Sequence, residues 1–124
     1  MLLHTRFTTK IVKGSGRGGI IGLPTINCAV PQDFSFKHGV YAGWVYKKNR
    51  KYAAAIHFGK RPTFNEDDIL LEVHILEKID SAFGKTLNLE LTRLIRKTKQ
   101  FKNTEKLLDA VRKDIKAIKQ YLDI

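Results

Sequence analysis

Residues 69–76 alternate without a break: Ile69, Leu71, Val73 and Ile75 share one face, and Leu70, Glu72, His74 and Leu76 the other. That is the period of a β-strand. Residues 86–95 repeat the pattern, with Leu87, Leu89 and Leu91 opposed to Asn88, Glu90 and Thr92, after a bend at Phe83-Gly84-Lys85. Upstream, residues 39–47 and 51–58 are two further strand-like runs. The charged stretch from Lys47 to Lys51 separates them and predicts a hairpin, with Asn49 supplying the turn chemistry. Residues 5–13 mix Thr, Phe, Ile and Val with bases and read as another strand. The period then changes. Leu107, Leu108, Val111, Ile115, Ile118 and Leu122 form one stripe of an amphipathic helix over about 104–122, which Asn103 or Thr104 can cap.

Strands that follow one another without intervening helices exclude an alternating α/β fold. They favour a small antiparallel barrel with the C-terminal helix packed across it. The 124 residues suffice for one domain, 1–124. Cys28 is the only cysteine, so no disulfide forms within the chain; it reads as a small buried hydrophobe in a reducing compartment. Residues 1–10 lack the apolar core of a secretory signal, and no run approaches a membrane span. A soluble cytoplasmic protein, monomeric, is the expectation. The net charge of +11 favours anionic or phosphorylated partners, and bases crowd the stretch from Arg93 to Lys119.

The densest chemical signal is Gly14-Ser15-Gly16-Arg17-Gly18-Gly19-Ile20-Ile21-Gly22-Leu23-Pro24-Thr25-Ile26-Asn27. Glycines let backbone N–H groups crowd an oxyanion. Gly14, Gly16 and Gly19 match the dinucleotide fingerprint in spacing, but Gly22 and Pro24 break the helix which that motif must open. No Gly-Lys-Ser/Thr follows, so the P-loop pattern fails as well. If residues 25–27 are extended, Thr25 and Asn27 point to one face. Two neutral oxygens side by side suit a hard cation already largely neutralised by phosphates. A magnesium nucleotide is the reading that uses all of these residues, and a plain turn is the alternative.

Glu72 is the odd residue of its strand, with apolar neighbours on both sides. It is either outward and solvated or inward and functional, and periodicity alone favours the outward choice. His4, His38, His57 and His74 show no metal-ligand spacing and read as surface or structural residues. Gly59-Lys60-Arg61-Pro62-Thr63-Phe64 is a second sharp turn carrying two bases.

Taken together, these segments resemble the riboflavin kinase family, including the kinase module of bacterial bifunctional FAD synthetases. The likeness runs through Gly22-Leu23-Pro24-Thr25-Ile26-Asn27, Gly39-Val40-Tyr41-Ala42-Gly43, Gly59-Lys60-Arg61-Pro62-Thr63-Phe64, Glu72-Val73-His74-Ile75-Leu76 and Phe83-Gly84-Lys85-Thr86-Leu87. It continues through Leu94-Ile95-Arg96, Phe101 and the final helix. The resemblance implies a mainly β fold: a six-stranded antiparallel Greek-key barrel with a C-terminal α-helix. It implies transfer of the γ-phosphoryl of ATP to the terminal ribityl hydroxyl of riboflavin, giving FMN and ADP, with Mg²⁺ as the metal. By residue, Thr25 and Asn27 match the pair that holds the metal beside the phosphates. Glu72 matches the catalytic carboxylate. Gly14, Ser15, Gly16, Arg17, Gly18 and Gly22 match the phosphate-side loop, and Arg96 an arginine near the flavin and phosphate region. The chain departs from the family pattern at Gly19, Leu23, Ile26 and His57, where arginine, an aromatic, alanine and asparagine respectively are usual. These 124 residues leave no room for the adenylyltransferase module: a complete chain is expected to make FMN and not FAD, whereas a piece of a longer protein carries no such expectation.

Two alternatives compete: a divergent, weakly active flavin- or nucleotide-binding member, and a basic β-barrel that binds nucleic acid through Tyr41, Trp44 and Tyr46. Against the second, alternation puts Tyr41 on the face opposite Trp44 and Tyr46, and nucleic-acid binding leaves Thr25, Asn27 and Glu72 without a role.

Overall fold

The computed structural model describes residues 2–12, 25–61, 66–79 and 82–124. Six strands precede one helix: β1 (Leu2–Val12), β2 (Thr25–Cys28), β3 (Gly39–Lys47), β4 (Arg50–Arg61), β5 (Glu66–Ile75), β6 (Thr86–Lys97) and α1 (Thr104–Leu122). All pairings are antiparallel, and the sheet closes in the order β1-β2-β5-β4-β3-β6. Strands β3, β4 and β5 form a meander, and β6 returns to lie beside β3, which is a Greek key.

Alternating apolar residues fill the barrel. Leu71, Val73 and Ile75 from β5 meet Ile56 and Phe58 from β4, Tyr41 and Val45 from β3, and Leu87, Leu89 and Leu91 from β6. Aromatic rings close the interior at both ends. Phe34, from the β2–β3 connection, packs edge-on against Phe58 and Phe7, and Phe83 packs edge-on against Tyr52 at the far end of β4. Close packing between β3 and β6 depends on two glycines. A Cβ on Gly39 would lie 2.3 Å from the Arg96 carbonyl oxygen, and one on Gly43 would lie 2.2 Å from that of Glu90. Irregularities in the β3–β6 register fall between Val40 and Tyr41 and between Ala42 and Gly43.

These irregularities change which residues of β6 face inward. Leu87, Leu89 and Leu91 point inward as the alternation predicts, but so does Leu94, which opposes the buried Tyr41. The outer face then carries Arg93 and Arg96, opposite Ala42 and Val40.

Helix α1 covers part of that outer face. Ile118, with Ile115, Tyr121 and Leu122, packs against Val40, Ala42, Ala53 and Ala55, with Trp44, Ile95 and Leu76 around them. The small side chains of β3 and β4 let the helix approach the sheet closely. The Asn103 side chain caps the helix by accepting the Lys106 N–H at 2.9 Å. At the hairpin tip the left-handed residue is Lys48 (φ 54), not Asn49, so the turn geometry rests on a lysine. Strands β4 and β5 are longer than the patterns in residues 51–58 and 69–76, because Arg50, Gly59–Arg61 and Glu66–Asp68 extend them.

Strand β2 is the shortest. It pairs with β5 over all four residues, but with β1 only at Ile11↔Cys28 and Val12↔Asn27 among the described residues.

Candidate active site

In antiparallel pairs, directly opposed residues point to the same face, with Cβ atoms roughly 5 Å apart. The registers therefore write two rows across the barrel. One runs Asn27–Glu72–His57–Val40–Arg96, across β2, β5, β4, β3 and β6. The other runs Thr25–His74–Ala55–Ala42–Arg93 across the same strands. Leu71, Val73 and Ile75 face the core, so both rows lie on the outer face of the barrel. The alternation of β2 puts Thr25 and Asn27 on that face together, while Cys28 turns inward and is buried.

Glu72 is 1% exposed. Neither option open to the sequence describes it: the side chain is outward, as periodicity favours, and yet buried. The inward-or-solvated choice fails because the outer face of this barrel is itself covered in places, as under α1. A buried carboxylate is tolerated only with polar company. Asn27 flanks Glu72 on β2, and on β4 the His57 Nδ1 lies 3.9 Å from Glu72 Oε1. One step along the sheet, the Thr25 hydroxyl and His74 Nδ1 are 3.1 Å apart. The structure thus brings Thr25, Asn27 and Glu72 together, although β2 and β5 are distant in sequence. It adds two neighbours, His57 and His74, that spacing alone reads as structural.

Arg96 shares the row of Glu72 but sits three strand steps away, roughly 14 Å at the usual strand spacing. Its Nε lies 2.9 Å from both carboxylate oxygens of Asp114 on α1, and its guanidinium also approaches the Phe101 ring. Burial pushes the Asp114 carboxyl above its ordinary value of 3.8, against the Arg96 hydrogen bond and charge, which pull it down. In this arrangement Arg96 ties the helix to the barrel. The loop residues Gly14, Ser15, Gly16, Arg17, Gly18 and Gly22 lie outside the described residues, as do Pro62, Thr63 and Phe64.

Thr25 and Asn27 fit a magnesium ion in kind: each offers a neutral oxygen, and the two share a face two residues apart. Among the described residues no cluster of three His, Cys, Asp or Glu could hold a metal ion. An ion here would draw its remaining ligands from phosphate and water. Cys28 is no nucleophile, since burial pushes its thiol up to about 12. The aromatic residues do not form one platform. Tyr41 is in the core with its hydroxyl donating to the Lys37 carbonyl, while Trp44 and Tyr46 are outside, with Lys51 and Arg6 already over their rings. Among the described residues no helix is long and apolar enough to cross a membrane.

Comparisons with known proteins bear on the family and the fold. A family model described as riboflavin kinase matches residues 2–122. The trifunctional protein RibF/MnmA of Mycoplasmoides gallisepticum is 33% identical over 94% of this chain, which spans 18% of that protein. The riboflavin kinase of Mus musculus is 29% identical over 93% of this chain, which spans 79% of it. Among solved structures, a Streptococcus pneumoniae protein described as a macrolide-efflux protein superposes with a TM-score of 0.75 at 27% identity, over 92% of this chain and 38% of that one. The riboflavin kinase of Trypanosoma brucei superposes with a TM-score of 0.67 over 98% of this chain and 81% of that one; at 20% identity it speaks for the fold alone. On the family model's match across nearly its whole length, the chain belongs to the riboflavin kinase family.

Proposed function

We propose that this chain transfers the γ-phosphoryl group of ATP to the terminal ribityl hydroxyl of riboflavin, giving FMN and ADP. The observation that carries the reading is the buried Glu72 carboxylate in register with Asn27, with Thr25 two residues away on the same face. Phosphoryl transfer passes through a loose transition state, so positioning and charge stabilisation dominate catalysis. Glu72 accepts the hydrogen bond of the attacking hydroxyl, holds that oxygen in line with the phosphorus, and takes the proton late. Burial favours this role, because a carboxylate out of bulk water holds its hydrogen bonds in fixed directions. Thr25 and Asn27 offer their side-chain oxygens to a magnesium ion beside the nucleotide phosphates. When bound, that ion supplies charge stabilisation to the phosphate oxygens. The Gly14–Gly22 loop, with Ser15 and Arg17, provides N–H groups and one cation for the phosphates. Arg96, which the family resemblance sets near the flavin and phosphate region, is held there by Asp114 on α1. The one cysteine, buried as a free thiol, suits a reaction carried out in the cytoplasm.

Incubation with riboflavin, ATP and Mg²⁺, followed by chromatography, tests the reading. FMN and ADP should appear in equal amounts and require all three components. A folded protein that yields no FMN under these conditions refutes it.

A further inference from the structure

We infer that His57 is a positioning residue for the reaction and acts through Glu72. This rests on the kinase reading above and adds to it a residue that the composition and spacing of the chain leave without a role.

The register of β4 and β5 makes His57 and Glu72 directly opposed partners on the outer face. Backbone pairing, not a flexible loop, therefore sets their approach. His57 Nδ1 lies 3.9 Å from Glu72 Oε1, and the two side chains are 19% and 2% exposed. That separation is within ion-pair range and just beyond hydrogen-bond range. Catalytic contacts are commonly longer before substrate binds than in the reacting complex. Asn27 stands opposite Glu72 on the other neighbouring strand, so the carboxylate lies between an amide and an imidazole. A carboxylate that must keep one oxygen aimed at a hydroxyl needs its other oxygen engaged. Closing this gap when substrate binds lets the imidazole donate from Nδ1 to Oε1 and fix the plane of the carboxylate. Precise orientation of this kind affects the chemical step far more than ground-state binding.

The atom involved gives the inference a discriminating variant. Nδ1 of histidine and Nδ2 of asparagine stand the same number of bonds from Cα, through Cβ and Cγ. Asparagine at position 57 keeps an N–H donor near the same place, whereas leucine keeps similar bulk with no donor.

The test is steady-state FMN formation by the wild-type protein, His57→Asn, His57→Leu, Glu72→Gln and the double variant Glu72→Gln/His57→Leu, each first shown to be folded by circular dichroism. His57→Leu should lower kcat by about tenfold while leaving KM for ATP and for riboflavin within about twofold. His57→Asn should restore kcat to within about threefold of wild type. In the Glu72→Gln background, His57→Leu should cause no further loss, since groups acting as a unit are not additive. If His57→Leu does not fold, His57→Gln takes its place: its donor sits one bond further out, and it should show the same loss in kcat. Equal losses in His57→Asn and His57→Leu would overturn the inference, as would a full His57→Leu effect when Glu72 is already glutamine. A wild-type protein that makes no FMN would instead sink the kinase reading itself, an outcome distinct from an active enzyme indifferent to position 57.

Discussion

At the scale of single residues, Glu72 carries the proposed chemistry. Replacing it by glutamine keeps size and hydrogen bonding but removes the charge and the proton acceptor. Riboflavin and nucleotide binding should persist while turnover falls roughly a hundredfold or more. Calorimetric binding and FMN formation measured on one preparation check both halves, and near wild-type turnover would remove Glu72 from the mechanism. Asp114 offers a second case, where pH is the probe. Its folded-state pKa is raised, chiefly by burial, so the folded protein holds that proton more tightly than the unfolded chain does. The stability from this group is therefore full below 3.8 and is lost as pH rises through the raised value. Asp114→Asn does not ionise and lacks this slope. Urea unfolding should show wild-type stability falling relative to Asp114→Asn as pH rises through that window. A relative rise would mean that the Arg96 ion pair outweighs burial. Of the site, residue types and spacing revealed Thr25, Asn27 and Glu72 as unusual, and alternation gave the correct side for Glu72. They did not reveal its burial, because exposure depends on what other segments lay over the outer face. Nor did they reveal His57, whose meaning comes from a strand register that no local window contains.

Among elements, the most legible were those with the longest unbroken periods. The helix stripe from Leu107 to Leu122 predicted α1, and the alternation in residues 69–76 and 86–95 predicted β5 and β6. Legibility failed where the ladder departed from ideal. Leu94 turns inward after the register irregularities, and a strict period of two cannot anticipate that. Strand β1 begins at Leu2, three residues before the pattern in residues 5–13, where Leu2 pairs with Arg93 across a register shift. The β3–β6 contact carries a prediction of its own. Gly43→Ala sets a Cβ against the Glu90 carbonyl and 2.7 Å from Ile56 Cδ1, and neither backbone nor core can move aside freely. The cost should be about 2 kcal/mol or more in urea unfolding. A neutral substitution would show that β6 can be displaced from β3 without penalty.

For the whole molecule, net charge is the property that most affects how partners are sorted. At +11, many bases lie on exposed surface, including Lys106, Arg112, Lys113, Lys116 and Lys119 of α1. Association with a polyanion should weaken steeply as salt rises, because the counterions that binding releases then gain less entropy. Riboflavin carries no charge, so its affinity should change by less than about twofold over the same range. Titrations with riboflavin and with a single-stranded oligonucleotide at 50 and 300 mM salt, ~sixfold apart in ionic strength, separate the two behaviours. Riboflavin binding that collapses with salt would contradict a site built from Thr25, Asn27 and Glu72.

Strand β2 is paired to β5 through all four of its residues. Because strand side chains alternate, a slip of one residue in that ladder would turn Thr25 and Asn27 inward and bring Ile26 and Cys28 to the outer face. The distance of both oxygen donors from the acid is therefore decided by the same pairing that closes the wall, and neither can be altered alone.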